Sequence, residues 1–229
     1  MIKAVLTDIE GTTSPIAFVH QTLFPYARQR IRNYLREHAA EPAVQGLMND
    51  VEALEHQDLS LDEAADLLEQ WVDEDRKATP LKTLQGMIWK TGYENGTLKG
   101  EVYAEVPQYL RAWHEKGITL AVYSSGSVQA QKLIFGHTEY GDLRPLFSAY
   151  FDTRLGAKRQ AAAYRKIAAQ LRLDAQQILF LSDVGAELDA AAEVGMPTCQ
   201  LIRDDSIQAA DQHPAARDFA EVDGLIRRG

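Results

Sequence analysis

The sequence has a single cysteine, Cys199, in 229 residues. An internal disulfide is therefore excluded, and one thiol fits a reducing cytoplasm. Cys199 lies in Thr198-Cys199-Gln200-Leu201-Ile202, which reads as a strand, so a buried structural thiol is expected rather than a nucleophile. Long apolar runs are also missing. No stretch reaches the roughly 18 apolar residues needed to span a bilayer, so no membrane partner is expected. The short apolar stretch at the N-terminus is interrupted by Asp8, and no cleaved targeting segment is expected. Histidines are few and scattered, and no His/Cys group has zinc spacing. Basic residues are outnumbered, giving a net charge of -9. A field of that sign repels polyphosphate backbones, which argues against nucleic acid. It leaves a small phosphate ester open as a ligand, because a local metal reverses the sign of a site. There is no internal repeat or low-complexity tract, and a cytoplasmic monomer is the expectation.

What is present is ordinary globular composition, 45% hydrophobic and 25% charged. The length suits one large domain, or a core with a smaller accessory domain. Lys3 to Ile9 suits a buried strand that breaks at Gly11. Similar runs follow at Ile118 to Tyr123, Ile178 to Leu181 and Thr198 to Ile202. Near-continuous apolar runs between helical segments predict a parallel sheet covered on both faces. Helical stripes fall between them: Val106, Tyr109, Leu110 and Trp113; Tyr164, Ile167, Ala168 and Leu171; Leu188, Ala191 and Ala192. Pro107 suits a first helical turn and Gly117 a helix end. The reading is an α/β, doubly wound core.

The stretch between the first strand and the rest is different. Strand signals vanish and helical stripes dominate, as in Ala27, Ile31, Tyr34, Leu35 and His38. Ser60-Leu61-Asp62-Glu63 is a capping box, followed by an apolar stripe through Leu61, Ala64, Ala65, Leu68 and Val72. This predicts a helical domain, residues 15–102, inserted after the first strand of a core formed by 1–14 and 103–229.

Open parallel sheets bind ligands beyond the carboxyl ends of their strands. Four polar clusters fall at or just after such ends: Asp8 to Thr13, Ser124 to Ser127, Gly156 to Lys158, and Ser182-Asp183 with Glu187. Singly, each has a plain reading as turn, cap or surface chemistry; together, in this order, they point to a site. If Asp8, Glu10 and Asp183 converge, each close pair repels by about 4 kcal/mol at about 4 Å and an effective dielectric of about 20. A cation must offset that, and oxygen donors favour Mg²⁺ over zinc. Asp8 is then placed to attack a phosphorus. Glu10 can protonate the leaving oxygen and later deprotonate water. Ser124 or Ser125 can hold phosphate oxygens, and the Lys158 ammonium can neutralise charge and orient Asp8.

These clusters resemble those of the haloacid dehalogenase superfamily, and the helical insertion resembles that superfamily's cap domain. Asp8-Ile9-Glu10-Gly11-Thr12-Thr13, with Glu10 where most members carry a second Asp, is similar to the enolase-phosphatase family within it. So are Leu23-Phe24-Pro25-Tyr26-Ala27 and Leu84-Gln85-Gly86-Met87-Ile88-Trp89 in the insertion, and Phe151-Asp152-Thr153 and Phe180-Leu181-Ser182-Asp183-Val184 later. The resemblance spans nearly the whole chain. It implies Asp8 as nucleophile, one Mg²⁺ held by Asp8, the backbone carbonyl of Glu10, and Asp183, and substrate contacts from Ser124, Ser125 and Lys158. It implies enolisation, then dephosphorylation, of 2,3-diketo-5-methylthiopentyl-1-phosphate in methionine salvage. Ala163 departs from the family's Ser, on a helix read as lying away from the four clusters. Gln85 and Trp89 share a helix face if their segment is helical; Trp89 is either a sulfur contact or part of the insertion's core. The alternatives are another phosphatase of the superfamily, acting on a sugar or nucleoside phosphate, and a catalytically idle interaction module.

Overall fold

Strand β1 (Ala4–Thr7) is buried throughout, as its apolar and β-branched residues require. The structure, a computed structural model, describes residues 1–204 and 207–228. After β1 come helices α1 (Ile16–Phe18), α2 (Phe24–Arg28), α3 (Ile31–Glu37), α4 (Pro42–Glu55), α5 (Leu61–Asp73) and α6 (Thr79–Glu94). Then follow α7 (Val106–Glu115), β2 (Thr119–Tyr123), α8 (Val128–Gly136), β3 (Phe147–Phe151), α9 (Ala161–Leu171) and β4 (Ile178–Ser182). The chain ends with α10 (Gly185–Ala192), β5 (Thr198–Leu201), β6 (Ala215–Ala216) and α11 (Phe219–Arg228).

The strands form one sheet in the order β3-β2-β1-β4-β5-β6, every pair parallel. Successive side chains alternate between its faces. Ala4, Leu6, Ala121, Tyr123, Ile178 and Phe180 pack with Tyr164, Ile167 and Leu188 of α9 and α10. The opposite phase, Val5, Leu120, Val122, Leu179 and Leu181, is buried as well. The sheet is therefore covered on both sides, the doubly wound α/β arrangement expected. Helix α7 runs beside β2 and touches α11, where Trp113 stacks on Phe219 at 5.1 Å. Gly117, at φ +77°, provides the left-handed turn that closes α7. The chain leaves β1 for β2 and β3 on one side and returns to β4 and β5 on the other. The switch point thus lies at the carboxyl end of β1.

The molecule divides into two compact units, Met1–Ile16 with Lys99–Gly229, and Ala17–Leu98. The second unit is helical, with a core of its own that includes Ile31, Leu35, Leu47, Leu68, Trp71 and Leu84. Ser60 caps α5 as expected: its Oγ accepts from the Glu63 amide, and the Glu63 carboxylate accepts from the Ser60 amide. Trp89 of α6 is half-buried; its Nε1 donates to the Leu23 carbonyl at 2.9 Å and its ring stacks on Phe24. Gln85, one turn earlier, is buried.

Three details differ from the sequence reading. Strands β3 and β6 were not anticipated. In α5 the buried position is Trp71, with Val72 only half-buried, because the indole fills more of the interior between helices. In α10, Ala190 is buried and Ala192 exposed. Alanine carries too little apolar surface to fix the phase of such a stripe.

Candidate active site

Asp8 is the first residue beyond β1, at the switch point, and is 3% exposed. Its amide donates to the Leu181 carbonyl of β4 at 2.9 Å, which fixes the backbone across the strand ends. Its Oδ1 accepts from the Ile9 amide at 2.7 Å and from Lys158 Nζ at 2.8 Å. The chain then turns sharply. The Ile9 carbonyl accepts from the amides of Thr12, Thr13 and Ser14, and Gly11 takes φ +70°. A Cβ at Gly11 would overlap the Asp183 carboxylate, so glycine is required twice over, for conformation and for space. The turn presents Glu10, half-buried, beside Asp8.

Lys158 reaches the site from the loop between β3 and α9. That loop is anchored by Tyr164, whose hydroxyl donates to the Lys158 carbonyl at 2.7 Å, and by Tyr123, whose hydroxyl donates to the Gly156 carbonyl at 2.9 Å. The ammonium lies 2.6 Å from Glu187 Oε2, as well as against Asp8. Burial favours the neutral amine, but the charges and hydrogen bonds of Asp8 and Glu187 outweigh it and hold Lys158 above the ordinary lysine value. Glu187 also accepts from Ser182 Oγ at 3.0 Å. Its carboxyl is raised by burial and by Asp8, against the pull of Lys158.

Asp183 follows β4 directly. Its backbone carbonyl accepts from Gln200 Nε2 at 3.0 Å, while its Oδ1 is buried without a hydrogen-bond partner among the described residues. Burial first, and Asp8 second, push Asp183 up to about 6. Burial first, and Asp8 second, push Glu10 up to about 7, with Asp183 and Glu187 adding and Lys158 opposing. Carboxylates crowded around one ammonium leave excess negative charge, and a positive charge is what the cluster lacks.

The donor set fits a hard dication. It consists of oxygens, one of them an orphaned carboxylate oxygen in a buried position. Among the described residues no three His, Cys, Asp or Glu side chains are arranged to enclose a metal by themselves. A cation here would therefore rest on the Asp8 and Asp183 carboxylates, a backbone carbonyl such as that of Glu10, and oxygens of solvent or substrate. That mixture suits Mg²⁺, which keeps several waters.

The structure thus brings together Asp8, Glu10, Lys158 and Asp183. Ser124 and Ser125 sit on the loop after β2, whose Val122 pairs with Thr7 of β1. Ser124 is buried, and its Oγ accepts from the Gly126 amide at 3.1 Å, whereas Ser125 is exposed. Their place is thus at the carboxyl end of the strand next to β1. Ala163 requires a correction. It packs against Gly156, where a Cβ would come within 3.0 Å of it, so it lies beside the Lys158 loop rather than away from the clusters. The sequence reading included Glu187 in its cluster without a role, and missed Gln200; a strand glutamine carries no signal that it will reach a neighbouring loop.

The sequence matches the haloacid dehalogenase-like hydrolases over residues 2–195. It is 53% identical over 224 residues to Enolase-phosphatase E1 of Pectobacterium atrosepticum, covering 97% of each chain. It is 53% identical over 222 residues to Enolase-phosphatase E1 of Pseudomonas aeruginosa, covering 96% of this chain and 98% of that one. The UTR4 protein of Saccharomyces cerevisiae has a similar structure, with a TM-score of 0.80 at 31% identity, covering 96% of this chain and 99% of that one. The L-2-haloacid dehalogenase of Xanthobacter autotrophicus, at 14% identity and a TM-score of 0.60, shares the fold, and each chain is 99% covered.

Proposed function

Because this chain belongs to the haloacid dehalogenase-like hydrolases, and within them to the enolase-phosphatases, we propose that Asp8 is its nucleophile and Glu10 its proton-transfer group. The activity is that of an acireductone synthase of methionine salvage. It enolises 2,3-diketo-5-methylthiopentyl-1-phosphate and releases phosphate to leave 1,2-dihydroxy-3-keto-5-methylthiopentene.

The observation that carries the residue roles is the Lys158 ammonium held between Asp8 and Glu187 at the end of the central strand. Lys158 and the Ile9 amide hold the Asp8 carboxylate through Oδ1, and that carboxylate attacks phosphorus. Its bond to phosphorus forms as the ester P–O bond breaks. Glu10 gives its proton to the leaving oxygen, then takes one from the water that cleaves the aspartyl-phosphate, restoring Asp8 and releasing inorganic phosphate. Burial raises this carboxyl above the ordinary glutamate range, which helps it to donate a proton to the leaving oxygen. Lys158 offsets phosphate charge throughout, and Ser124 and Ser125 with their loop amides supply donors to the phosphate oxygens. Asp8, the Glu10 carbonyl and Asp183 would hold one Mg²⁺ per chain, which would supply charge neutralisation at phosphorus and polarisation of the substrate carbonyl.

We read residues 15–102 as a helical cap domain, and the enzyme as a cytoplasmic monomer; the lone Cys199 supports a reducing compartment. Among the described residues no helix is long and apolar enough to cross a membrane. The test follows enol formation and phosphate release separately on the diketone phosphate. Both are expected, and Asp8→Asn abolishes phosphate release. Faster phosphate release from common sugar phosphates, or substantial turnover by Asp8→Asn, overturns the reading.

A further inference from the structure

Arg203 follows β5, and its side chain is only 4% exposed. Its Nε and Nη2 both donate to the Thr12 carbonyl, at 3.0 and 2.6 Å. Its Nη1 donates to Glu105 Oε1 at 2.6 Å and to the Arg217 carbonyl at 3.1 Å. The Tyr103 ring lies 4.0 Å from the guanidinium carbon, and Phe219 flanks it at 5.4 Å. Burying a guanidinium is costly unless it is paired, and here Glu105 matches its charge while four hydrogen bonds engage its N–H groups.

The grip falls at an informative place. Thr12 belongs to the turn that carries Glu10, 191 positions away in sequence. The turn's own backbone hydrogen bonds, three amides to the Ile9 carbonyl and the Gly11 amide to the Ser14 carbonyl, bend the chain without tying it to later residues. Arg203 supplies that tie, helped by the Tyr103 amide, which donates to the Thr13 carbonyl at 3.0 Å. One planar fork closes on a single carbonyl with two N–H groups and ties it to Glu105 with a third. A lysine ammonium carries the charge but cannot reproduce that fork.

We propose that Arg203 is a positioning residue for proton transfer: by clamping the Thr12 carbonyl it fixes the turn and hence the aim of the Glu10 carboxyl at the leaving oxygen. This rests on the reading of Glu10 as the proton-transfer group. A misplacement of about 1 Å costs on the order of 100-fold in rate. The loss depends on how much protonation the leaving group needs. p-Nitrophenolate departs without a proton, whereas the oxygen released from the diketone phosphate requires one.

The experiment compares kcat/KM of the full-length parent, Arg203→Lys and Glu10→Gln, with Mg²⁺, on the diketone phosphate and on p-nitrophenyl phosphate. Arg203→Lys is expected to lose about 100-fold on the first and under about tenfold on the second, shifting the ratio in the same direction as Glu10→Gln. A purely structural role lowers both substrates alike, so equal losses, or no loss on either, overturn the proposal. If Arg203→Lys does not fold, Tyr103→Leu decides. It removes the ring against the guanidinium, keeps the charge, and shifts the ratio the same way by a smaller factor; a ratio equal to the parent's overturns the proposal. A Glu10→Gln enzyme that keeps the parent ratio overturns the role of Glu10, and this proposal with it. A shift in Glu10→Gln without one in the Arg203 or Tyr103 variant overturns the role of Arg203 alone.

Discussion

Gly11 faces the Asp183 carboxylate so closely that a Cβ on Gly11 would stand 2.6 Å from Asp183 Cγ. Two loops from adjacent strands, β1 and β4, are thus packed to the limit of a hydrogen atom. Gly11→Ala therefore strains the turn by about 1–2 kcal/mol for the left-handed conformation and pushes Asp183 aside. The expected outcome is at least about tenfold weaker Mg²⁺ binding, since displaced ligands and their supports cost that much. Calorimetric titration with Mg²⁺ and urea denaturation check the two parts; unchanged Mg²⁺ affinity would contradict the role of Asp183.

Glu187→Gln leaves Lys158 with one carboxylate partner instead of two. The ammonium then swings toward Asp8 and competes with the incoming phosphate for it. We expect kcat to fall about 10–100-fold with a smaller change in KM, as for other residues that orient a site from behind. Steady-state kinetics on the diketone phosphate decides it, and an unchanged kcat rules the role out.

Glu10→Gln removes the transferable proton but not the backbone carbonyl. It should slow turnover about 100-fold or more while Mg²⁺ binds with near-parent affinity. Loss of Mg²⁺ binding in this variant would mean that the side chain, not the carbonyl, holds the metal. In the parent, a chelator should abolish phosphate release and added Mg²⁺ restore it.

Asp223 sets an acid limb for stability. Burial acts to raise its carboxyl, but hydrogen bonds from Trp113 and Arg227 and the charges of Lys116 and Arg227 outweigh burial and hold it below 3.8. A carboxyl depressed in the folded state stabilises the fold above its unfolded value, and that stabilisation is lost as pH falls through the folded value. Asp223→Asn should therefore be less stable than the parent at neutral pH, with the gap closing below about pH 4. Denaturant unfolding across that range tests it; a gap independent of pH would show that packing, not charge, is at stake.

Much of this was legible because chemistry and strand ends coincide. Asp8 and Asp183 each follow a near-continuous apolar run, so their place beyond the sheet could be read directly. Strand β3 was not legible: it lies at the sheet's edge, and its Ser148 is exposed, so the pattern Phe147-Ser148-Ala149-Tyr150-Phe151 lacks a continuous apolar signal. Strand β6 is two alanines and has no signal at all. Arg203 and Gln200 escaped for another reason. Each acts on a backbone carbonyl in a loop distant in sequence, Thr12 and Asp183 respectively, and no local pattern announces such a partner.

The central place of β1 also has a consequence for how the chain matures during synthesis. Its neighbours are β2 and β4, so Val5 must wait for Leu120 and Leu179 before it is paired on both sides. The helices that form the core around Leu35 and Leu68 contact one another locally and can assemble while the chain is still emerging. The aspartate made among the first residues is thus among the last to be fixed, when Leu181 arrives to accept its amide. Phosphatase activity on the ribosome should therefore not appear before β4 has joined β1.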